Sequence, residues 1–129
     1  AKTRAGNRYV PIHAQLRPVI DALLNSNPSP SPDAYLLFDL TADRDGKRSL
    51  QVGKRFGRVK AKLGFDYRYT FHSTRKTVST QLERAGVSEG ISADILGHEK
   101  QTMTYGLYSG GSSLEQKAAA VGLIDYGLS

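Results

Sequence analysis

Apolar residues recur along this chain at the three-to-four-residue period of amphipathic helices, and glycine or proline closes most of the stretches. Leu16, Val19, Ile20, Leu23 and Leu24 form the first stretch, and Pro18 places its regular part from about Arg17. Pro28, Pro30 and Pro32, interleaved with serines, predict an exposed loop, followed by the short apolar run Tyr35–Phe38. Ser49 is the expected N-cap of a second helix, in which Val52, Phe56, Val59 and Leu63 share one stripe and Gly64 marks the exit. A third helix is predicted from about Ser73 to Ala85, with Val78 and Leu82 inward and Gly86 as its stop. Ser88 caps a short fourth helix through Ile91, Ile95 and Leu96 that Gly97 ends, and a last helix spans Leu114 to Val121. At the start, Lys2 to Arg8 has the pattern of a hairpin tip, with Gly6-Asn7 able to take positive φ and Tyr9-Val10-Pro11-Ile12 as the returning strand. The fold class is therefore mainly α (α+β), with a small N-terminal β-hairpin remnant. A hairpin needs an outgoing strand and none precedes Lys2, so a piece of a longer protein is expected.

Composition narrows the class. The 129 residues are 39% hydrophobic and 23% charged, the balance of a globular protein. That length predicts one domain burying about two-thirds of the surface its unfolded chain exposes. No apolar run is long enough to span a bilayer and no signal peptide is visible, so membrane association is not expected and a cytoplasmic location is. Without a single cysteine, disulfides, thiolate metal sites and thiol catalysis are ruled out. Aspartates and glutamates with metal-ligand spacing are absent too; neither a metal nor a cofactor is expected.

Charge changes the picture most. Eighteen Lys and Arg against 12 Asp and Glu give a net charge of +6, which favours a polyanionic partner. Seven of these cations (Lys47, Arg48, Lys54, Arg55, Arg58, Lys60 and Lys62) fall in one segment. Lys54, Arg55, Arg58 and Lys62 share the polar face of the second helix. No acidic residue between Leu50 and Phe65 can pair with them within the helix. A solvated face is one explanation; a DNA-binding face is the other, and the missing acids favour it.

Four residues able to manage a phosphodiester follow in order: a histidine, an arginine, a second histidine and a tyrosine. His72 and Arg75, three apart near a helix N-terminus, lie on one face about a turn from each other. An arginine there can grip two phosphate oxygens, and the imidazole can donate to a phosphate or take a proton. Gly97 after the fourth helix turns the backbone so that His98 projects from its end. Tyr108 stands ten positions beyond His98, and as one of 7 tyrosines it needs neighbouring donors and a base to act as a nucleophile. Taken singly, each has an ordinary structural role: a capping histidine, a surface arginine, a helix-ending Gly-His, an exposed aromatic.

Together, Thr70-Phe71-His72-Ser73-Thr74-Arg75-Lys76-Thr77, Asp94-Ile95-Leu96-Gly97-His98-Glu99 and Met103-Thr104-Tyr105-Gly106-Leu107-Tyr108-Ser109-Gly110-Gly111 resemble the catalytic domain of phage-type integrases, the tyrosine recombinase family. Lys2-Thr3 and Arg8-Tyr9-Val10-Pro11-Ile12 are similar to that family's β-hairpin lysine and the strand after it. The resemblance spans nearly the whole chain. It implies a helical recombinase catalytic domain performing site-specific DNA recombination and integration. Tyr108 would attack the scissile phosphate to form a 3′-phosphotyrosyl link. Arg75 would neutralise the non-bridging oxygens, and His72 would assist proton removal. His98 would hydrogen-bond a phosphate oxygen, and Lys2 would protonate the 5′ leaving oxygen. Tyr105 is the competing nucleophile, but the family places its tyrosine about nine or ten positions after the Gly-His histidine, which Tyr108 fits and Tyr105 does not.

The chain departs from the family in lacking the arginine, with its acidic neighbour, expected upstream of the hairpin lysine; Arg4 and Arg8 belong to the hairpin and are poor substitutes. Residues 1–129 are therefore expected to be part of an integrase catalytic domain, without its upstream part or the N-terminal DNA-binding domains, and inactive alone. The partners implied are double-stranded DNA attachment sites, and the full-length protein is expected to form a homotetramer on DNA. Its segment 113–129, with Leu114, Val121, Leu123, Ile124 and Tyr126, would dock on a neighbour or else pack on its own domain. A non-catalytic DNA-binding module is the main alternative. A metal-free ribonuclease using His72, Lys2 and His98 leaves Tyr108 unexplained. A type IB topoisomerase shares the chemistry, but the Tyr-Gly-Leu-Tyr-Ser-Gly-Gly stretch favours integration.

Overall fold

The computed structural model describes residues 4–99 and 111–128. The chain divides into two compact units, one formed by residues 1–15 with 75–129 and the other by residues 16–74. Among the described residues the regular structure is helical: a 3-10 turn at Arg4–Gly6, then α1 (Arg17–Ser26), α2 (Ser49–Lys62), α3 (Phe71–Arg84), α4 (Glu89–Leu96) and α5 (Leu114–Val121).

The unit holding the chain's two ends is built on a small apolar cluster. Leu82 of α3 is fully buried, with Ile95 of α4 and Ala120 and Val121 of α5 around it. Val78, Val87, Ile91 and Ile124 pack against this cluster. Each helix is delimited by residues that satisfy its end groups. The chain leaves α3 through Gly86 at φ +80°, where the Val87 N–H returns to the Leu82 carbonyl at 3.0 Å. The Ser88 hydroxyl accepts from the Ile91 N–H at the start of α4. Ser113 and Gln116 form a reciprocal capping box on α5, whose alanines allow close packing on α4.

No strand occurs among the described residues, so the expected hairpin remnant is not seen. Arg4–Gly6 is a 3-10 turn, and residues 8–13 have no regular secondary structure. Side chains from elsewhere in the unit take the place of a partner strand. The buried Lys117 ammonium donates to the Tyr9 carbonyl at 2.5 Å. His13 Nε2 donates to the Ile124 carbonyl at 2.9 Å, and the Gln15 amide to that of Leu128 at 2.9 Å. Lys2 and Thr3 lie outside the described residues.

In the other unit, Pro18 occupies the first turn of α1, where its missing N–H costs nothing. Ser49 begins α2 instead of capping it: Arg48 holds the cap position, in αR geometry and without a side-chain bond. Arg48 is drawn elsewhere, stacking 3.9 Å over the Tyr35 ring and donating to the Leu37 carbonyl at 2.6 Å. Gly64 leaves α2 at φ +84°. The apolar stripe of α2 is covered over its first half only: Val52 and Phe56 are half-buried, and Val59 and Leu63 are 57% and 68% exposed. Phe56 meets Phe71 edge to face at 5.2 Å. Arg68 beside Asp66 holds that exposed carboxyl below its ordinary value. The first turn of α3 begins at Phe71, two residues before the expected start, because the Ser73 hydroxyl points back to accept from the Thr70 N–H at 2.9 Å.

Truncating Leu82, the one fully buried large side chain among the described residues, is expected to be severe. Leu82→Ala should lower stability by about 3 kcal/mol, read as a reduced midpoint of urea unfolding.

Candidate functional site

Four residues at the C-terminal end of α4 carry the site. Ile95 and Leu96 put their side chains into the interior, leaving their carbonyls at a helix end that carries partial negative charge. Gly97 follows at φ +76°, and both its N–H and that of His98 return to the Ala93 carbonyl, at 2.8 and 2.9 Å. This left-handed turn delivers His98 to the surface, where it is exposed.

Two guanidiniums occupy the consecutive free carbonyls. Arg75, on α3 and half-buried, donates through Nη2 to the Leu96 carbonyl and through Nε to His98 Nε2 at 3.3 Å. The histidine nitrogen is the acceptor in this contact. Arg8 donates through Nε to the Ile95 carbonyl at 2.8 Å and through Nη1 to the Gly6 carbonyl at 2.8 Å. Its guanidinium lies directly over Gly97: a Cβ there would stand 2.6 Å from Nη1 and 2.7 Å from Cζ. Glycine is thus required at position 97 both for its backbone conformation and for the space Arg8 occupies.

Beside His98 opens a cavity of about 270 Å³, lined among others by Asn7, Arg8, Tyr9, Asp94, Ser112 and Lys117. Asp94 Oδ2 accepts from the Ser112 N–H at 2.7 Å and from its hydroxyl at 2.5 Å. A single short helix therefore fixes both His98 and the chain that re-enters at Ser112.

Of the sequence-predicted catalytic residues, Arg75 and His98 are brought into contact. His72 is exposed on the first turn of α3, in the part of the chain belonging to the other unit. Lys2, Tyr108 and the competing Tyr105 lie outside the described residues. Lys54, Arg55, Arg58 and Lys62 of α2 are all exposed, as expected of a charged face. Arg55 nevertheless has a partner from outside the helix, Asp39, at 3.2 Å. Such an exposed pair contributes little to stability. In the C-terminal segment Val121 is 6% exposed and Ile124 is half-buried against the core; Leu114, Leu123 and Tyr126 are exposed. The role of Arg8 escaped sequence reasoning, because a tie between residues 87 positions apart leaves no local periodicity. Among the described residues, no cluster of three His, Asp or Glu side chains could hold a metal ion. No described helix is long and apolar enough to cross a membrane.

The chain matches the profile of the phage integrase family over residues 1–112. It belongs to that family, the tyrosine recombinases, whose members bind DNA and recombine it site-specifically. No curated protein and no solved structure matches the chain.

Gly97→Ala should destabilise the protein by about 1–3 kcal/mol, since alanine must hold a left-handed backbone and displace Arg8. Urea unfolding followed by circular dichroism measures the loss.

Proposed function

We propose that this chain is the strand-cleaving part of a DNA integrase, joining DNA through a 3′-phosphotyrosyl intermediate. The observation that carries this is the contact between Arg75 and His98 at the end of α4, two groups of opposite proton-handling character beside one exposed space. A phosphate oxygen entering between them would take the Arg75 Nε–H, and a protonated His98 would donate to the same group.

In this scheme the Tyr108 oxygen attacks phosphorus while the bond to the 5′ oxygen breaks. His72, three residues before Arg75 along α3, takes up the phenolic proton, and Lys2 supplies a proton to the departing 5′ oxygen. Arg75 neutralises the charge that gathers on the non-bridging oxygens. Cationic side chains here do the work that divalent ions do at many other phosphoryl-transfer sites. Lys54, Arg58 and Lys62 bind the DNA backbone; Arg55 joins them by releasing Asp39. The substrate is a pair of double-stranded attachment sites in the cytoplasm, bound by a homotetramer of the full-length protein. Leu114, Leu123 and Tyr126 are the apolar surface that segment 113–129 has left for a neighbouring subunit. No arginine of residues 1–129 matches the family's further catalytic arginine, so the chain by itself captures DNA poorly.

In the full-length protein, Tyr108→Phe should abolish covalent capture of a nicked DNA substrate and leave DNA affinity nearly unchanged. Capture at the normal rate by that variant would move the nucleophile to another residue. Absence of capture by the unaltered full-length protein would leave a non-catalytic DNA-binding module.

For the basic face, replacing Lys54, Arg58 or Lys62 singly with alanine should reduce the slope of log affinity against log salt by about one each. A salt titration of DNA binding by the chain itself reads this out.

A further inference from the structure

We propose that Arg8 is a positioning residue for His98. This rests on His98 being the phosphate-binding histidine of the recombinase site. Arg8 itself touches neither the imidazole nor, in this scheme, the DNA.

Three observations carry it. First, Arg8 and Arg75 take adjacent carbonyls, Ile95 and Leu96, and His98 leaves the helix just beyond them. The last turn of α4 is thereby held by two guanidiniums from residues distant in sequence. Second, Arg8 lies on Gly97, so closely that a single methyl group would collide with it. Gly97 is the pivot on which the direction of His98 depends, and a planar group resting on it restricts how far that pivot can turn. Third, Arg8 is anchored on its other side: Nη1 donates to the Gly6 carbonyl of the 3-10 turn, and the Tyr9 carbonyl next to it is held by the buried Lys117. The guanidinium is a strut between the N-terminal segment and the helix end, not a loose surface cation.

Arginine suits this position and lysine does not. The fork presents Nε–H and Nη1–H along different directions in one rigid plane, so one group can hold two carbonyls and still lie flat on Gly97. A lysine ammonium supplies the charge that the helix end favours but cannot set the plane. Without Arg8, the turn at Gly97 keeps its bonds to Ala93, and Arg75 keeps its carbonyl. What is lost is the restriction on the pivot, and with it the angle at which His98 meets a phosphate. Small errors of this kind cost rate more than affinity, because DNA is held over a much larger surface.

The chain contains three histidines, His13, His72 and His98, so the ring signals of a histidine-labelled sample are easily assigned. In Arg8→Ala the His98 ring signals should shift or broaden, with those of His72 unmoved, and Arg8→Lys should return them only in part. His98 signals that stay in place in Arg8→Ala, or that move together with those of His72, would overturn the proposal. In the full-length protein, Arg8→Ala should slow covalent capture at saturating DNA about tenfold with affinity changed less than about twofold. Ile91→Val, a core substitution of modest cost, should leave that rate alone. A rate that falls equally in both variants would assign Arg8 a merely structural part. Failure of the unaltered full-length protein to capture DNA would count against the recombinase scheme only, since the His98 signals decide the role of Arg8 independently.

Discussion

The C-terminal end of α4 is the constraint from which the site follows. An eight-residue helix that ends in a left-handed glycine leaves carbonyls facing outward with no intrahelical partner. Here those groups attract guanidiniums, because the helix end carries partial negative charge and the carbonyls point along fixed directions. Arg75 is thus oriented by the backbone before any substrate arrives, and its Nε–H is left aimed at the one imidazole that the same turn exposes. The backbone of the helix end brings the pair together.

The N-terminal segment is attached by the same kind of interaction run in several places. Arg8, Lys117, His13 and Gln15 each send a side-chain donor to a backbone carbonyl far away in sequence. Hydrogen bonds from charged donors contribute about 1.5–3 kcal/mol when well formed, so Arg8 and Lys117 count for more than the neutral contacts. Lys117 is the extreme case. At 8% exposure its burial is tolerable because the ammonium finds the Tyr9 carbonyl. The segment therefore needs no strand partner among the described residues to stay on the unit.

How much of this could be read from the sequence depends on the range of the interaction involved. The bounds of α4 and α5 and the exits at Gly64, Gly86 and Gly97 were legible because caps and positive-φ glycines act on neighbours a few residues away. Ser49 misled: a serine before an apolar stripe resembles a cap, but Arg48 took that position and Tyr35 drew its side chain aside. Period alone cannot say which apolar residues of segment 113–129 a small core will bury: Val121 is buried, Ile124 half-buried, and Leu114, Leu123 and Tyr126 exposed. The pairing of Arg75 with His98 could be anticipated from the motif order but not from the chain's physics, since 23 residues separate them. The tie of Arg8 to the Ile95 carbonyl left no trace in the local pattern.

The size of the apolar core explains why polar ties matter so much here. In the unit holding the chain's two ends, Leu82, Ile95, Leu96, Ala120 and Val121 are the only apolar side chains buried outright among the described residues, and three of the five, Ile95, Ala120 and Val121, are small or β-branched. Ile95 and Leu96 then serve twice: their side chains fix α4 against the interior, and their carbonyls fix Arg8 and Arg75 outside it. A displacement of Ile95 or Leu96 is transmitted to its own guanidinium through a single peptide unit, and that of Leu96 to His98 through one glycine. Such coupling costs tolerance to substitution, but it sets donor and acceptor in place in advance. In the proposed reaction, a pentacoordinate phosphorus would be stabilised by such an arrangement, because groups already oriented need no reorganisation as the charge forms.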